Sequence, residues 1–310
     1  MKTSISTRRF ASYAWTVLGF NLAVVLWGAF VRATGAGAGC GKHWPLCNGE
    51  MLPRSPGLNT VIEFTHRVTS GIDVALVAIL AVWAFRAFPP RHAVRLGAVL
   101  SAVFLFTEAL LGAALVLLGH VAGNPSLAHA YSLSAHLVNT LTLLACLTLT
   151  AWWATHPAPS RIGGRPVWLA AISLAIVMIL GVSGAIAALG DTLFPSRTFA
   201  EGLARDFDPT ASIFVRLRVW HPVIAALAAA WLLFYSVTTL SERPQLRTRA
   251  WALFAIIAIQ LAAGALNLLL SAPVWMQIVH LLLADALWIS LVLLCAGTLE
   301  QTRIPADKYS

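Results

Sequence analysis

The amino-acid sequence predicts an all-α integral membrane protein of eight transmembrane helices, laid out as two pseudo-symmetric four-helix bundles. Three observations lead there. Only 11% of residues are charged and the mean hydropathy is +0.79, where a soluble domain carries roughly 25% charge. Eight apolar stretches lie near residues 12–33, 61–85, 96–119, 133–154, 167–189, 212–238, 251–270 and 276–298. Each is long enough to cross a bilayer core of about 30 Å, which takes about 20 helical residues. The third observation is that sequence features of the first four stretches recur in the last four.

Little chain is left over for a soluble domain. The start, MKTSISTRRF followed by an apolar run, resembles a signal peptide, and GAGC at 37–40 has the look of a lipoprotein cleavage site. The apolar run exceeds the 7–15 residues or so of an ordinary signal segment, and Gly37 stands where a lipoprotein signal usually has Leu. An uncleaved first helix is therefore expected.

The formal charge is +9, but it is spread along membrane flanks rather than gathered in one basic patch, which argues against nucleic-acid binding. Thirteen of the 21 Lys and Arg fall at the two ends and in the even-numbered loops: Lys2, Arg8, Arg9, Arg86, Arg91, Arg95, Arg161, Arg165, Arg243, Arg247, Arg249, Arg303 and Lys308. Four of the 12 acids sit between Asp191 and Asp208, on the other side. The positive-inside rule then puts both termini in the cytoplasm and the first loop outside, in the cell membrane.

The repeat pairs residues 1–160 with 161–310. The third stretch reads Glu108-Ala-Leu-Leu-Gly112-Ala113 and the seventh Gln260-Leu-Ala-Ala-Gly264-Ala265. Each is followed by an outer loop and a helix with a histidine near its start, His136 or His280. Glu63-Phe-Thr-His66 in the second stretch corresponds to Arg218-Val-Trp-His221 in the sixth. Internal repeats are common in membrane proteins, although chance likeness among Leu/Ala-rich helices is the competing explanation.

His66, His136, His221 and His280 thus fall at one depth, near the outer ends of the even helices. An ionisable residue inside a membrane span is costly and points to function, although a lone buried His is as often a hydrogen-bonded core residue. Imidazole suits iron, zinc and copper. A structural zinc wants four ligands close together, whereas these fall into two pairs, each able to grip a haem iron from both faces. Gly28, Gly71, Gly112, Ala113, Gly181, Gly184, Gly264 and Ala265 would leave room for a flat macrocycle, though small residues also mark plain helix packing. His43, His92, His120, His129 and His156 are expected to be solvated or interfacial, with His120 and His129 flanking an outer loop near a cofactor edge.

The halves differ in chemistry. Residues i and i+3 share a helix face, so His66 has the Glu63 carboxylate beside it and His221 has the Arg218 guanidinium. A carboxylate can move protons or stabilise developing positive charge, and an arginine can clamp a propionate. The first half reads as catalytic and the second as a fixed cofactor site. Alternatively, Glu63 only pairs with Arg67 or Arg32. Pro222 should kink the sixth helix at the carbonyl of Arg218. Asp73, Glu108 and Asp285 are further intramembrane acids, suited to a proton path or to buried hydrogen bonds. Cys146 and Cys295 read as small apolar residues. Cys40 and Cys47 lie in the outer loop, where disulfides persist. A structural bridge, a thiol–disulfide exchange site and a metal site with His43 are the readings for that loop.

Gly28-Ala-Phe-Val-Arg-Ala-Thr-Gly35-Ala-Gly37, then Cys40 through Trp44-Pro45-Leu46-Cys47-Asn48-Gly49, then Glu63-Phe64-Thr65-His66-Arg67, together resemble the signature of the haem A synthase family. The likeness spans nearly the whole chain. It implies oxidation of a ring methyl of haem O to a formyl group, giving haem A for terminal oxidases. It implies substrate haem on His66 and His136, haem b on His221 and His280, an acidic catalytic residue at Glu63, and an outer cysteine pair at Cys40 and Cys47. Arg32 and Arg67, by charge and depth, are further candidates for propionate contacts. Haem O synthase and an electron donor are the partners to expect besides the bilayer, and an oligomer is left open. The alternatives are a di-haem electron carrier without methyl oxidation and a transporter.

Overall fold

A computed structural model of the chain describes residues 2–121, 123–156, 158 and 164–300, with side chains from residue 7 onward. The expected boundary at 160/161, the side chain of Lys2, and Arg161, Arg303 and Lys308 lie outside the described residues. The described residues form ten α-helices: α1 (Lys2–Ala33), α2 (Leu58–Ala87), α3 (Ala93–Leu117), α4 (Leu127–Trp153), α5 (Arg165–Leu193), α6 (Phe199–Asp206), α7 (Ile213–Leu217), α8 (Trp220–Glu242), α9 (Arg247–Leu269) and α10 (Val274–Leu299). Among them no strand occurs beyond one isolated bridge between Cys47 and Glu50. Eight spans are long and apolar enough to cross a membrane, the sixth made of α7 and α8 together. The protein is an all-α, multi-pass membrane protein.

Helix ends follow local chemistry. The Ser126 hydroxyl accepts from the His129 amide, so α4 begins six residues before the apolar run itself. Thr198 caps α6 by accepting from the Glu201 amide, while the Glu201 carboxylate accepts from the Arg197 amide at 3.0 Å. This resembles a capping box, with the carboxylate taking the amide before the cap rather than that of Thr198 itself, and it builds a helix that the apolar pattern alone does not announce. The disturbance expected at Pro222 is a short interruption, with Arg218 and Val219 still in the right-handed helical region. The helix stops at Leu217 and restarts at Trp220, and the Arg218 carbonyl accepts from the His221 amide at 3.2 Å. Pro222 then sits in the first turn of α8, where its missing N–H leaves nothing unpaired.

Helix contacts close into two rings. In one, α1 touches α2, α2 touches α3, α3 touches α4, and α4 touches α1. In the other, the same holds for α5, α8, α9 and α10. The rings meet where α1 and α4 pack on α5 and α10. The main core lies at the end away from the Cys40–Cys47 loop, built from Phe10, Leu80, Leu144, Leu253, Trp288 and Leu291 among others. The Trp288 indole donates to the Leu141 carbonyl at 2.7 Å, tying α10 to α4. At the loop end, among the described residues, two small apolar clusters form. The four histidines occupy that end.

Candidate functional site

His66, His136, His221 and His280 stand six to nine residues after the first residue of their spans. At 1.5 Å rise per residue that is roughly 9–14 Å in, on a shared level. Each faces a glycine on a neighbouring helix. A Cβ at Gly28 would sit 2.9 Å from His66 Cε1, one at Gly184 3.0 Å from His221 Cε1, and one at Gly264 3.1 Å from His280 Cε1. At Gly112 the nearest atom is His136 Nε2, at 3.6 Å. The cradle is therefore tight at three positions and looser at the fourth. Gly71 has open space around it, and Gly181 faces Leu137 and Leu141, so those two belong to other packing.

The ring nitrogens test whether a haem fits. The His221 and His280 ring centres are 6.4 Å apart. Two iron–imidazole bonds of about 2 Å each, plus the distance from nitrogen to ring centre, give a spacing of about 6 Å. His136 Nδ1 lies 2.8 Å from Glu108 Oε1, and His221 Nδ1 lies 3.0 Å from the Ser183 hydroxyl. Ligand histidines usually engage their second nitrogen in this way, which fixes the ring and leaves Nε2 for the metal. His66 Nδ1 and His280 Nδ1 are buried without a partner, and His280 Nε2 lies 3.4 Å from Gln260 Nε2. Among the described residues no three His, Cys, Asp or Glu converge. Donors in pairs fit a haem, whose own ring supplies the remaining ligands.

Cradle and ligand make one prediction. Gly28→Ala forces the His66 ring aside, an overpacking cost of about 1–3 kcal/mol, and should weaken haem retention about tenfold. Gly112→Ala meets only ordinary contact and should stay within about twofold. Haem titration of the two purified variants compares them, and equal retention would rule out the cradle.

Glu63 is 3% exposed. Its Oε1 accepts from Arg67 Nη2 at 2.5 Å and its Oε2 accepts from the Cys40 amide at 2.8 Å. The pairing with Arg67, one of the two alternatives in the sequence, is thus made; the one with Arg32 is not. Arg67 Nη1 in turn donates to the carbonyls of His43 and Leu46, at 2.7 Å each. The Thr60 hydroxyl donates to the Gly39 carbonyl at 2.8 Å. A Cβ at Gly39 would collide with the Asn59 backbone, so only glycine lets the loop lie on the start of α2. Cys40 and Cys47 form a disulfide and are 0% and 1% exposed. A thiol reaches that bridge only after the loop lifts from α2.

Arg32 reaches from α1 across the ring boundary, donating to Thr192 Oγ1 at 2.9 Å, to the Ala188 carbonyl at 3.0 Å and to Gln277 Oε1 at 3.2 Å. Arg218 binds Asp191 at 2.8 Å and Asp206 at 2.7 Å. The sequence placed Arg218 beside His221 but did not foresee these two carboxylates. His129 is buried rather than solvated, its Nδ1 2.9 Å from the Asn124 carbonyl and its ring stacked near His120. Asp73 accepts from Asn21 Nδ2 at 2.5 Å, a buried bond joining α1 to α2.

The sequence model of the COX15-CtaA family, described as cytochrome oxidase assembly protein, matches residues 11–292. The chain belongs to this haem A synthase family. It is 30% identical to the heme A synthase of Bacillus mycoides over 91% of both chains. It is 29% identical to a heme A synthase of Bacillus cereus, over 97% of this chain and 96% of the other. It is 50% identical to a protoheme IX farnesyltransferase of Thermus thermophilus, over 94% of this chain and 49% of that protein. The chain therefore spans about half the length of the Thermus proteins it matches. Ser183, Glu108 and Gln260 are the ring partners that sequence reading left unassigned to their histidines. Glu108 and Gln260 do occupy the same place in the repeat, four residues before Gly112 and Gly264, which was the available signal.

Proposed function

We propose that the protein is a haem A synthase, an oxidoreductase that converts a methyl group of haem O to a formyl group. The observation that carries this is the set of four histidines at one depth, each backed by a glycine, in a chain of this family. The two helix rings are read as pseudo-symmetric halves, 1–160 and 161–310. His66 and His136 would hold the substrate haem, and His221 and His280 a haem b, which supplies one-electron transfer when bound. Glu63 lies one turn from His66 on the same face and is proposed to stabilise positive charge developing at the reacting carbon. Arg32, Arg67 and Arg218 each have N–H groups beyond those already bound to protein, and these are proposed to meet propionates. The disulfide loop, held down by Arg67 and Glu63, covers the α2 end of the site and limits water there.

The basic flanks support a location in the cell membrane, with both termini cytoplasmic and the Cys40–Cys47 loop outside. The Thermus relatives join a matching half to a further half in one chain named for protohaem farnesylation. That supports a haem O synthase as a partner handing over substrate, beside an electron donor.

A second reading, a di-haem electron carrier, draws on Glu63 itself, since both of its oxygens already serve the loop. Pigment extraction after co-expression with a haem O supply separates the two. Haem A together with haem b is the expected result. Haem b alone, with haem O available, would leave the electron carrier, and no haem would end the histidine reading.

A further inference from the structure

The two rings differ at one repeat position in a way that bears on the iron. In α3, Glu108 sets Oε1 against His136 Nδ1 at 2.8 Å. Its carboxylate cannot turn away, because Asn139 Nδ2 donates to Oε2 at 2.5 Å and the Thr140 hydroxyl contacts Oε1. Asn139 is itself held, donating to the Phe104 carbonyl at 2.8 Å and accepting from the Thr107 hydroxyl at 2.6 Å. In α9 the matching residue is Gln260, an uncharged amide that lies 3.4 Å from His280 Nε2, while His280 Nδ1 has no partner among the described residues. His221 has a hydroxyl partner, and His66 Nδ1 has none. Among the described residues, His136 is the one of the four whose ring meets a carboxylate.

We propose that Glu108 makes His136 a stronger donor to iron than the other three histidines, and so holds the first-half haem at a lower reduction potential than a neutral partner at that position would. This rests on His136 being an axial ligand, as in the function proposed above. A carboxylate accepting the Nδ1 proton raises the basicity of a ligating imidazole, and a charged acceptor binds about twice as strongly as a neutral one. More electron density at Nε2 stabilises ferric over ferrous iron. The couple takes up one electron, and no atom changes hands. Glu108 acts through His136 and is a positioning residue, not a catalytic one.

The test is a spectroelectrochemical titration of the purified, haem-loaded protein, following each haem separately. Glu108→Gln keeps the shape and an acceptor oxygen but removes the charge. It should raise the ferrous-to-ferric ratio of the first-half haem about tenfold at fixed potential, 59 mV for one electron, and leave the second-half haem in place. Ser183→Asp is the independent arm: it puts a carboxylate at His221 Nδ1, where the Ser183 hydroxyl now stands at 3.0 Å, and should shift the second-half haem about as far the other way. A role in helix packing alone would change haem content or melting but not these potentials. Unchanged potentials in both variants, with both haems still bound, would overturn the proposal. Loss of haem on Glu108→Gln leaves the decision to Ser183→Asp, whose unchanged potential alone would also overturn it. If the wild-type first half carries no haem, or His136→Ala leaves its spectrum intact, the ligand assignment beneath the proposal has failed instead.

Discussion

Glu63→Gln is expected to leave both haems bound and to slow formyl formation roughly 100–1000-fold, the range seen when one preorganised stabilising group is removed. The amide keeps nearly the volume of the carboxylate and one acceptor oxygen, so the contact with the Cys40 amide can persist. What it loses is the negative charge one turn from His66. Arg67 now balances that charge at 2.5 Å, and the guanidinium retains the carbonyls of His43 and Leu46 after the substitution. Haem extraction and mass analysis give the ratio of haem A to haem O. Normal haem A would end the catalytic role. Low haem A has a second possible origin, a loosened loop, because Glu63 also fastens Cys40. Thiol labelling after mild reduction separates the two. If Cys40 and Cys47 label no faster than in the unaltered protein, the loss belongs to the missing charge. If they label much faster, Glu63 works by holding the loop.

That ambiguity shows what the sequence could and could not disclose. Hydropathy exposed all eight spans, because crossing a bilayer is a demand on local composition. Register within the repeat exposed the common depth of the four histidines. The choice of partners was hidden, since it depends on how helices turn about their axes. Glu63 had two arginines within reach by sequence and took Arg67, four residues along its own helix. Glu108 read as an isolated intramembrane acid until α3 lay against α4 and brought it to His136. The same rotation set Gly28, Gly184 and Gly264 tight against their histidines while leaving Gly112 looser and Gly71 facing open space. Helix α6 is a different case. Its Thr198-x-x-Glu201 pattern was in plain view, but a search for apolar runs passes over a helix of eight residues. The interruption just before His221 was legible in Pro222, which has no N–H to offer the Arg218 carbonyl; the three donors of Arg218 engaged by Asp191 and Asp206 were not.

Removing single histidines should dissect the pigment half by half. His280→Ala is expected to lower the affinity for the second-half haem at least about 100-fold, beyond the 10–100-fold typical of losing only an outer partner of a ligand. The first-half haem should remain. His66→Ala should do the reverse. The expectation of independence follows from the contacts: His221 and His280 face each other inside one ring of helices, with Gly184 and Gly264 of that same ring behind them. A structural histidine would behave otherwise, since its loss would lower the melting temperature and both haem contents together. Added imidazole sharpens the comparison. The alanine leaves a ring-sized space beside Gly264, where free imidazole can supply a nitrogen to the iron but cannot restore a covalent link along α10. Return of the low-spin spectrum with imidazole would assign His280 as a ligand. If His280→Ala keeps its full haem b spectrum, the pairing with His221 is wrong, and a 6.4 Å separation of two rings is then only the packing of two side chains across a helix bundle.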